Sequence, residues 1–237
     1  MAGGLGDPLA AIRGGLVVSV QAPPGSPLRD PSHMAAMARA AEAGGARAVR
    51  AEGARDIAAI RDAIDLPLIG LRKRESPDTP VVITPSLEDA REVAAAGADV
   101  LALDATRRLR ADGRGPDALI RRLADALQLP LLADVDDHEA GVAARAAGAD
   151  AVATTLSGYT GGAAPVAPDL ALVERLAAAL DCPVLAEGRY ATADDVRRAF
   201  DAGAHAVVVG TAITDPVALT RRFAAATPAS EVGRAAG

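Results

Sequence analysis

The chain predicts a single (β/α)8 TIM barrel, and three observations carry that prediction. Eight short apolar runs alternate with helical stretches, the pattern of parallel strands buried on both faces. Two punctuation marks take turns between them. One is helix–Gly–Ala–strand, at Ala43-Gly-Gly-Ala46, Ala96-Gly-Ala-Asp99, Ala147-Gly-Ala-Asp150 and Ala202-Gly-Ala-His205. The other is helix–Pro–strand, at Asp65-Leu-Pro67, Gln128-Leu-Pro130 and Asp181-Cys-Pro183. Glycine takes the left-handed conformation that ends a helix, and proline fits the first residue of a strand, where its missing N–H costs little. Each mark recurs after about fifty to sixty residues, roughly two βα units. Finally, 237 residues suit one domain of barrel size. An open doubly wound sheet is the alternative. It calls for a GxGxxG turn after the first strand, and none is there.

In chain order, residues 1–13 read as a loose leader or a short helix, 14–226 as the barrel, and the Ala/Pro/Gly/Ser-rich tail 227–237 as disordered. Leu16 to Val20 is the first strand, closed by Gln21. Residues 22–32 hold four prolines and a glycine and read as a loop. His33 to Ala43 is helical and stops at Gly44-Gly45. Strands follow at 46–51, 68–71, 99–104, 131–134, 150–155, 184–187 and 205–209. Helices are expected at 54–64, 86–96, 116–127, 137–147, 169–180, 192–202 and 216–225. Ser86 with Asp89, and Thr192 with Asp195, have the spacing of capping boxes.

Composition removes several function classes. Aromatic residues are 2% of the chain, which argues against stacking on exposed bases. The net charge is −6 with no basic block, so the footprint of a nucleic-acid binder is missing. The one cysteine, Cys182, cannot form an internal disulfide and reads as a small core residue beside Pro183. His33, His138 and His205 form no metal pair, and neither a metal nor a cofactor is expected. No run approaches the ~20 apolar residues of a membrane span, and residues 1–13 lack a signal peptide's apolar stretch. The expectation is a cytoplasmic protein without nucleic-acid or membrane partners. The residues leave the oligomeric state open, a homodimer being the assembly to expect.

Chemistry in such a barrel gathers at the C-terminal ends of the strands. Val184 to Tyr190 and His205 to Thr211 are strands that end in glycine turns, Gly188-Arg189 and Gly210-Thr211. Glycine lets backbone N–H groups approach an anion, and the loops after the last two strands often hold phosphate. Strand parity selects the side chains that face such a ligand, because residues two apart point the same way. Counted from the prolines, Lys73, Asp134 and Glu187 share a parity at the ends of strands three, five and seven. Counted from the alanines, Arg50, Asp104 and Thr155 share another, and Gln21 closes the first strand at the same end. Charges at the ends of buried strands are costly unless paired or used. Plainer readings stand beside the catalytic one. Lys73 lies between Arg72 and Arg74 and could belong to a solvated basic loop, Asp134 could cap a helix, and Asp104 could cap its loop.

At these residues the sequence resembles the N-acetylmannosamine-6-phosphate 2-epimerase family, across roughly residues 14–225. The resemblance rests on Gly15-Leu-Val-Val-Ser-Val-Gln-Ala22, Val49-Arg-Ala51, Leu68-Ile-Gly-Leu-Arg-Lys-Arg74, Val82-Ile-Thr-Pro85, Leu101-Ala-Leu-Asp-Ala-Thr106, Ala133-Asp134, Thr154-Thr-Leu-Ser-Gly-Tyr-Thr160, Pro183-Val-Leu-Ala-Glu-Gly-Arg189 and Val207-Val-Val-Gly-Thr-Ala-Ile-Thr214. Single pieces are weak, but their order is specific. The resemblance implies an isomerase that interconverts the 6-phosphates of N-acetylmannosamine and N-acetylglucosamine, in sialic acid or amino sugar catabolism. It implies that Lys73 moves the C2 proton with Glu187 as acidic partner. It further implies that Arg50, Asp134 and Gln21 hold the substrate, and that Gly188, Arg189, Gly210 and Thr211 hold its phosphate; Thr155, which shares the parity of Arg50, is a further candidate substrate contact. One departure stands out. Where the family pattern continues Arg-Pro after Ala-Ile-Thr, this chain has Asp215-Pro216. Rival readings of the same barrel are a Schiff-base lyase or synthase using Lys73, a flavin enzyme, and a sugar-phosphate sensor without catalysis.

Overall fold

The structure, a computed structural model, describes residues 6–161 and 165–228. The first five residues of the expected leader, three residues of the loop 161–168 and residues 229–237 of the expected tail lie outside that description. Eight parallel strands pair in sequence order and close on themselves. They are β1 (Leu16–Val20), β2 (Ala48–Glu52), β3 (Leu68–Leu71), β4 (Val100–Asp104), β5 (Leu131–Asp134), β6 (Ala151–Ala153), β7 (Val184–Glu187) and β8 (Ala206–Val209). Closure is made by β1, where Val17 pairs with Ala48 on one side and with Val208 on the other.

Each strand sends alternate residues to opposite sides. Val17, Ala48, Ile69, Val100, Leu132, Ala151, Leu185 and Ala206 belong to one buried cluster that fills the barrel. Val18, Val49, Leu68, Leu101, Leu131, Val152 and Val184 belong to another, packed under the helices. Alanine at three of the eight inner positions suits a chain with few aromatic side chains: small inner residues keep the narrow lumen filled without overpacking.

The outer ring is α2 (Pro31–Ala43), α3 (Ala54–Arg61), α4 (Leu87–Ala95), α5 (Pro116–Ala126), α6 (His138–Ala147), α7 (Leu170–Ala179), α8 (Ala193–Asp201) and, at the end, α10 (Pro216–Ala224). Helix α2 starts two residues earlier than the loop-like prolines suggest. Asp30 caps it through Ser32 N, and Pro31 sits in the first turn, where proline is at ease. Thr192 and Asp195 form a full capping box. Ser86 makes only half of one: its hydroxyl accepts from Asp89 N and donates to Asp89 Oδ2, while Asp89 Oδ1 accepts from Arg74. Two short helices complete the chain. Helix α1 (Pro8–Ala11) closes the bottom, burying Leu9 in the inner cluster, followed by Ile12, and His205 Nε2 lies 2.7 Å from Leu9 O. Helix α9 (Thr211–Thr214), unforeseen in the sequence, follows β8 at the mouth. Helix α10 buries none of its residues and leaves Val217 and Phe223 exposed. Cys182 is a free thiol, partly buried against the outer core.

Among the described residues no helix is long and apolar enough to cross a membrane. Nor do three or more His, Cys, Asp or Glu side chains come together as metal ligands would.

Candidate active site at the barrel mouth

In six strands the last inward position of the barrel core continues, two residues on, into a residue at the C-terminal end. Ala48 leads to Arg50, Leu71 to Lys73, Ala102 to Asp104, Leu132 to Asp134, Ala153 to Thr155 and Leu185 to Glu187. The strand period thus carries six of the parity-selected side chains to one end of the lumen.

Arg50, Asp134 and Glu187 meet there. The Arg50 guanidinium is 1% exposed and grips both oxygens of Asp134, Nη1 to Oδ1 at 3.0 Å and Nη2 to Oδ2 at 2.6 Å. The same Nη1 also donates to Glu187 Oε2 at 2.7 Å. Burial alone would lower the Arg50 pKa, but the two carboxylates outweigh it and keep the side chain charged. Thr155 donates to Asp134 Oδ1 at 2.6 Å, so this candidate substrate contact is part of the network. Glu187 is pinned from behind: Thr154 Oγ1 accepts from its N–H and donates to its carbonyl. Burial raises the Glu187 pKa to about 6, against the pull of Arg50. A carboxylic acid of that strength can give or take a proton near neutral pH.

Lys73 stands apart from this network. It lies just past β3, on the outgoing arm of a small hairpin that spans 72–84, where it bridges Ile83 in antiparallel fashion. Its side chain is open to solvent, and among the described residues no carboxylate reaches ion-pair distance of its amine. The packed surroundings and the Arg50 charge lower its pKa, while Glu52, Glu187 and Asp134 oppose the shift. Its backbone N–H donates to Glu52 Oε1, a carboxylate that also pairs with Arg72. Sequence reasoning passed over Glu52, although it ends β2 two residues after Arg50. A second signal was also in plain sight. Lys73 is the only lysine in the chain; the other 24 of its 25 Lys and Arg residues are arginine.

The remaining candidates divide. Gln21 donates to Ser19 Oγ at 3.0 Å and keeps a buried Oε1 with no protein partner. Gly188 and Arg189 both have left-handed backbones, φ 111° and 65°, so the turn after β7 does need glycine at its first position. The Arg189 side chain, however, is spent on the β6–α7 loop. It donates to Ala167 O and Ser157 O and lies over the Tyr159 ring. Gly210 and Thr211 open helix α9 directly after β8. Asp104 proves to be a turn anchor, accepting from Thr106 and Arg108. Asp215 caps α10 by accepting from Ala218 N at 2.9 Å. Arg107 is paired with Asp137 and Glu139.

The fold and this end of it define a class: a single (β/α)8 barrel with a buried carboxylate–guanidinium network and a separate amine at its C-terminal mouth. Comparison with known proteins narrows the class. The family model described as "Putative N-acetylmannosamine-6-phosphate epimerase" matches residues 34–229. A Cutibacterium acnes protein described as a "Putative N-acetylmannosamine-6-phosphate 2-epimerase" is 50% identical over 91% of this chain and 94% of its own. One so described from Caldanaerobacter subterraneus is 42% identical over 92% of each. The solved N-acetylmannosamine-6-phosphate 2-epimerase from Clostridium perfringens superposes with a TM-score of 0.87 at 38% identity, over 91% of this chain and 94% of that one. The chain belongs to the N-acetylmannosamine-6-phosphate epimerase family.

Proposed function

We propose that this chain inverts C2 of an N-acetylhexosamine 6-phosphate, interconverting N-acetylmannosamine 6-phosphate and N-acetylglucosamine 6-phosphate. Family membership supports the reaction, and one observation carries the assignment of roles: of the 25 Lys and Arg residues in the chain, Lys73 alone is a lysine, and it stands at the mouth. An arginine cannot lose its proton in a protein, whereas a lysine with a lowered pKa can. Epimerisation needs that difference. The C2 hydrogen becomes acidic only when C1 is a carbonyl, so the open-chain sugar is the reacting form. Neutral Lys73 takes or returns the C2 proton. Glu187, half-ionised near pH 6, serves the O1/O5 oxygens during ring opening or the other face of C2. Arg50 and Asp134 fix Glu187 and, with Thr155, the floor on which the substrate rests. Gln21 offers its unpartnered Oε1 to a substrate donor.

The phosphate is assigned to the turns after β7 and β8. Support comes from the glycines at 188 and 210 and from the short helix α9, the arrangement in which such barrels commonly hold phosphate. Arg189, its guanidinium already engaged, contributes its backbone N–H; Thr211 contributes an exposed hydroxyl. The reaction belongs to cytoplasmic catabolism of sialic acid or other amino sugars. A homodimer is the proposed assembly, supported by the apolar residues that α10 leaves exposed, and light scattering reads it directly.

The test is proton NMR of N-acetylmannosamine 6-phosphate with the protein in deuterated water. The expected result is the second epimer carrying deuterium at C2, with or without a chelator. Binding without exchange at C2 would sink the reaction. Borohydride trapping of substrate on Lys73 would replace it with Schiff-base chemistry.

A further inference from the structure

We infer that Thr84 is a positioning residue for Lys73. It acts as a wedge that parts β3 from β4 one residue before the lysine. Three observations meet at this side chain.

The first is where the barrel wall stops pairing. Strands β3 and β4 share only the pairs Ile69–Val100 and Gly70–Leu101. Continued, that register would set Arg72 opposite Leu103, with Arg72 N–H donating to Ala102 O, as Val49 N donates to Pro67 O one strand earlier. That rung is missing. In its place stands the Thr84 hydroxyl, which accepts from Arg72 N at 3.1 Å and donates to Ala102 O at 2.6 Å. One oxygen has been inserted into the ladder.

The second is the hairpin. Thr84 N donates to Arg72 O at 2.6 Å, and Arg74 N donates to Val82 O at 3.0 Å. Both backbone groups of Arg72 are therefore held by the same residue. The return arm is anchored in turn, since Ile83 is buried in the lumen cluster and its carbonyl accepts from Asp104 N. Lys73 follows with no freedom in its leading peptide.

The third is strain. Thr84 is fully buried and has φ of 44°. A β-branched residue is rarely found in the left-handed region, and such outliers persist where the surroundings over-determine them. Glycine would sit there at ease but would lack the hydroxyl. Threonine supplies the relay and keeps the strain.

The wedge explains why Lys73 leaves the sheet just past β3 and enters the hairpin opposite Ile83. A continued ladder would lay the next residues into the wall between β2 and β4. The inference rests on Lys73 as the proton-transfer group, but its readout does not. Because Lys73 is the only lysine, 13C-lysine labelling gives one ε-methylene signal, whose position and titration report the site directly.

Thr84→Val keeps shape and removes the relay; Thr84→Ser keeps the relay. With Thr84→Val the expected results are a shifted lysine signal and titration midpoint, and a kcat lower on the order of 10²-fold with KM little changed, the scale of a misplacement near 1 Å. Thr84→Ser restores both. In the unmodified protein the Arg72 amide should exchange slowly with deuterium, which holds the test open even if the valine variant fails to fold. A valine variant with unaltered lysine signal and kcat, a serine variant as damaged as the valine one, or a freely exchanging Arg72 amide would each overturn the inference. If Lys73→Ala keeps turnover while Thr84→Val still moves the lysine signal, the proton-transfer reading fails and the positioning stands.

Discussion

Arg50 and Lys73 share one mouth and carry the same nominal charge, yet the barrel treats them in opposite ways. Arg50 is sealed from solvent and bonded to two carboxylates. Lys73 is open to solvent, and among the described residues its amine has no ionic partner. Burying a charge is tolerable only with such pairing, and a guanidinium held by two carboxylates keeps its proton. Arg50 is therefore scaffold: it orients Glu187 and keeps the pocket polar. Lys73 is held by its backbone alone, through Glu52 on one side and the Thr84 hairpin on the other, leaving the amine free to react. The comparison separates groups that set geometry from groups that exchange protons.

The sharpest way to test that separation is to make the two cations alike. Lys73→Arg keeps the charge at a solvent-open position, so the unfolding midpoint should barely move. Turnover should fall by about 10³-fold or more, the scale lost with a general base, since guanidinium cannot become neutral. Steady-state kinetics beside thermal unfolding reads both, and appreciable turnover in this variant would end the role assigned to Lys73. In the parent protein the rate should rise with pH along a limb set by Lys73 deprotonation, lying below the 10.5 of an ordinary lysine. Asp134→Ala tests the opposite pole. It leaves the buried Arg50 with Glu187 alone, and losing one partner of a buried pair costs about 3–5 kcal/mol. Urea unfolding should show a midpoint lowered accordingly, with activity lost through misplacement of Glu187.

How much of this was legible beforehand follows from what local sequence can encode. Strand parity brought Arg50, Asp134 and Glu187 to the mouth because the period of two is rigid. It could not say that Arg50 would reach across to both carboxylates, since side-chain pairing depends on the closure of the barrel. The hairpin at 72–84 went unread. Its tip, Glu75-Ser-Pro-Asp-Thr-Pro80, has no periodicity, and its order comes from rungs borrowed from β4. The single lysine was legible from the sequence alone. Asp104 drew notice by its strand-end position, but its carboxylate anchors a local turn at Thr106, and the Arg189 side chain engages the β6–α7 loop, partners that only the folded chain reveals.

Glu187 lies between the two extremes, paired with Arg50 yet raised to about 6 from an ordinary 4.5. Its folded-state value is above its unfolded one, so its contribution to stability is full below about pH 4.5 and is lost as pH rises through about 6. Removing the charge should therefore help the fold near neutrality. The stability of Glu187→Gln relative to the parent is expected to rise between pH 4.5 and pH 7.5, by on the order of 2 kcal/mol at most. Turnover should collapse in the same variant. Thermal unfolding at the two pH values checks the sign, and a relative stability that falls over that interval would mean that the ion pair with Arg50, not burial, governs this carboxyl.

Asp215 gives the smallest effect and the clearest contrast with Glu187. Both are carboxylates at the mouth end of the barrel, but Asp215 gives its oxygen to the N-terminus of α10. Asp215→Ala should cost about 1 kcal/mol, as lost helix caps do, or about 2–4 °C in Tm for a domain of this size, with kcat unchanged. Asp215→Arg loses the same cap but adds a cation one turn beyond Gly210, beside the proposed phosphate site. KM for the sugar phosphate should fall a few-fold at low salt and return towards the parent value as salt screens the charge. An unchanged KM in Asp215→Arg at low salt would move the phosphate away from the β8 turn and leave the glycine at 188 as its principal anchor.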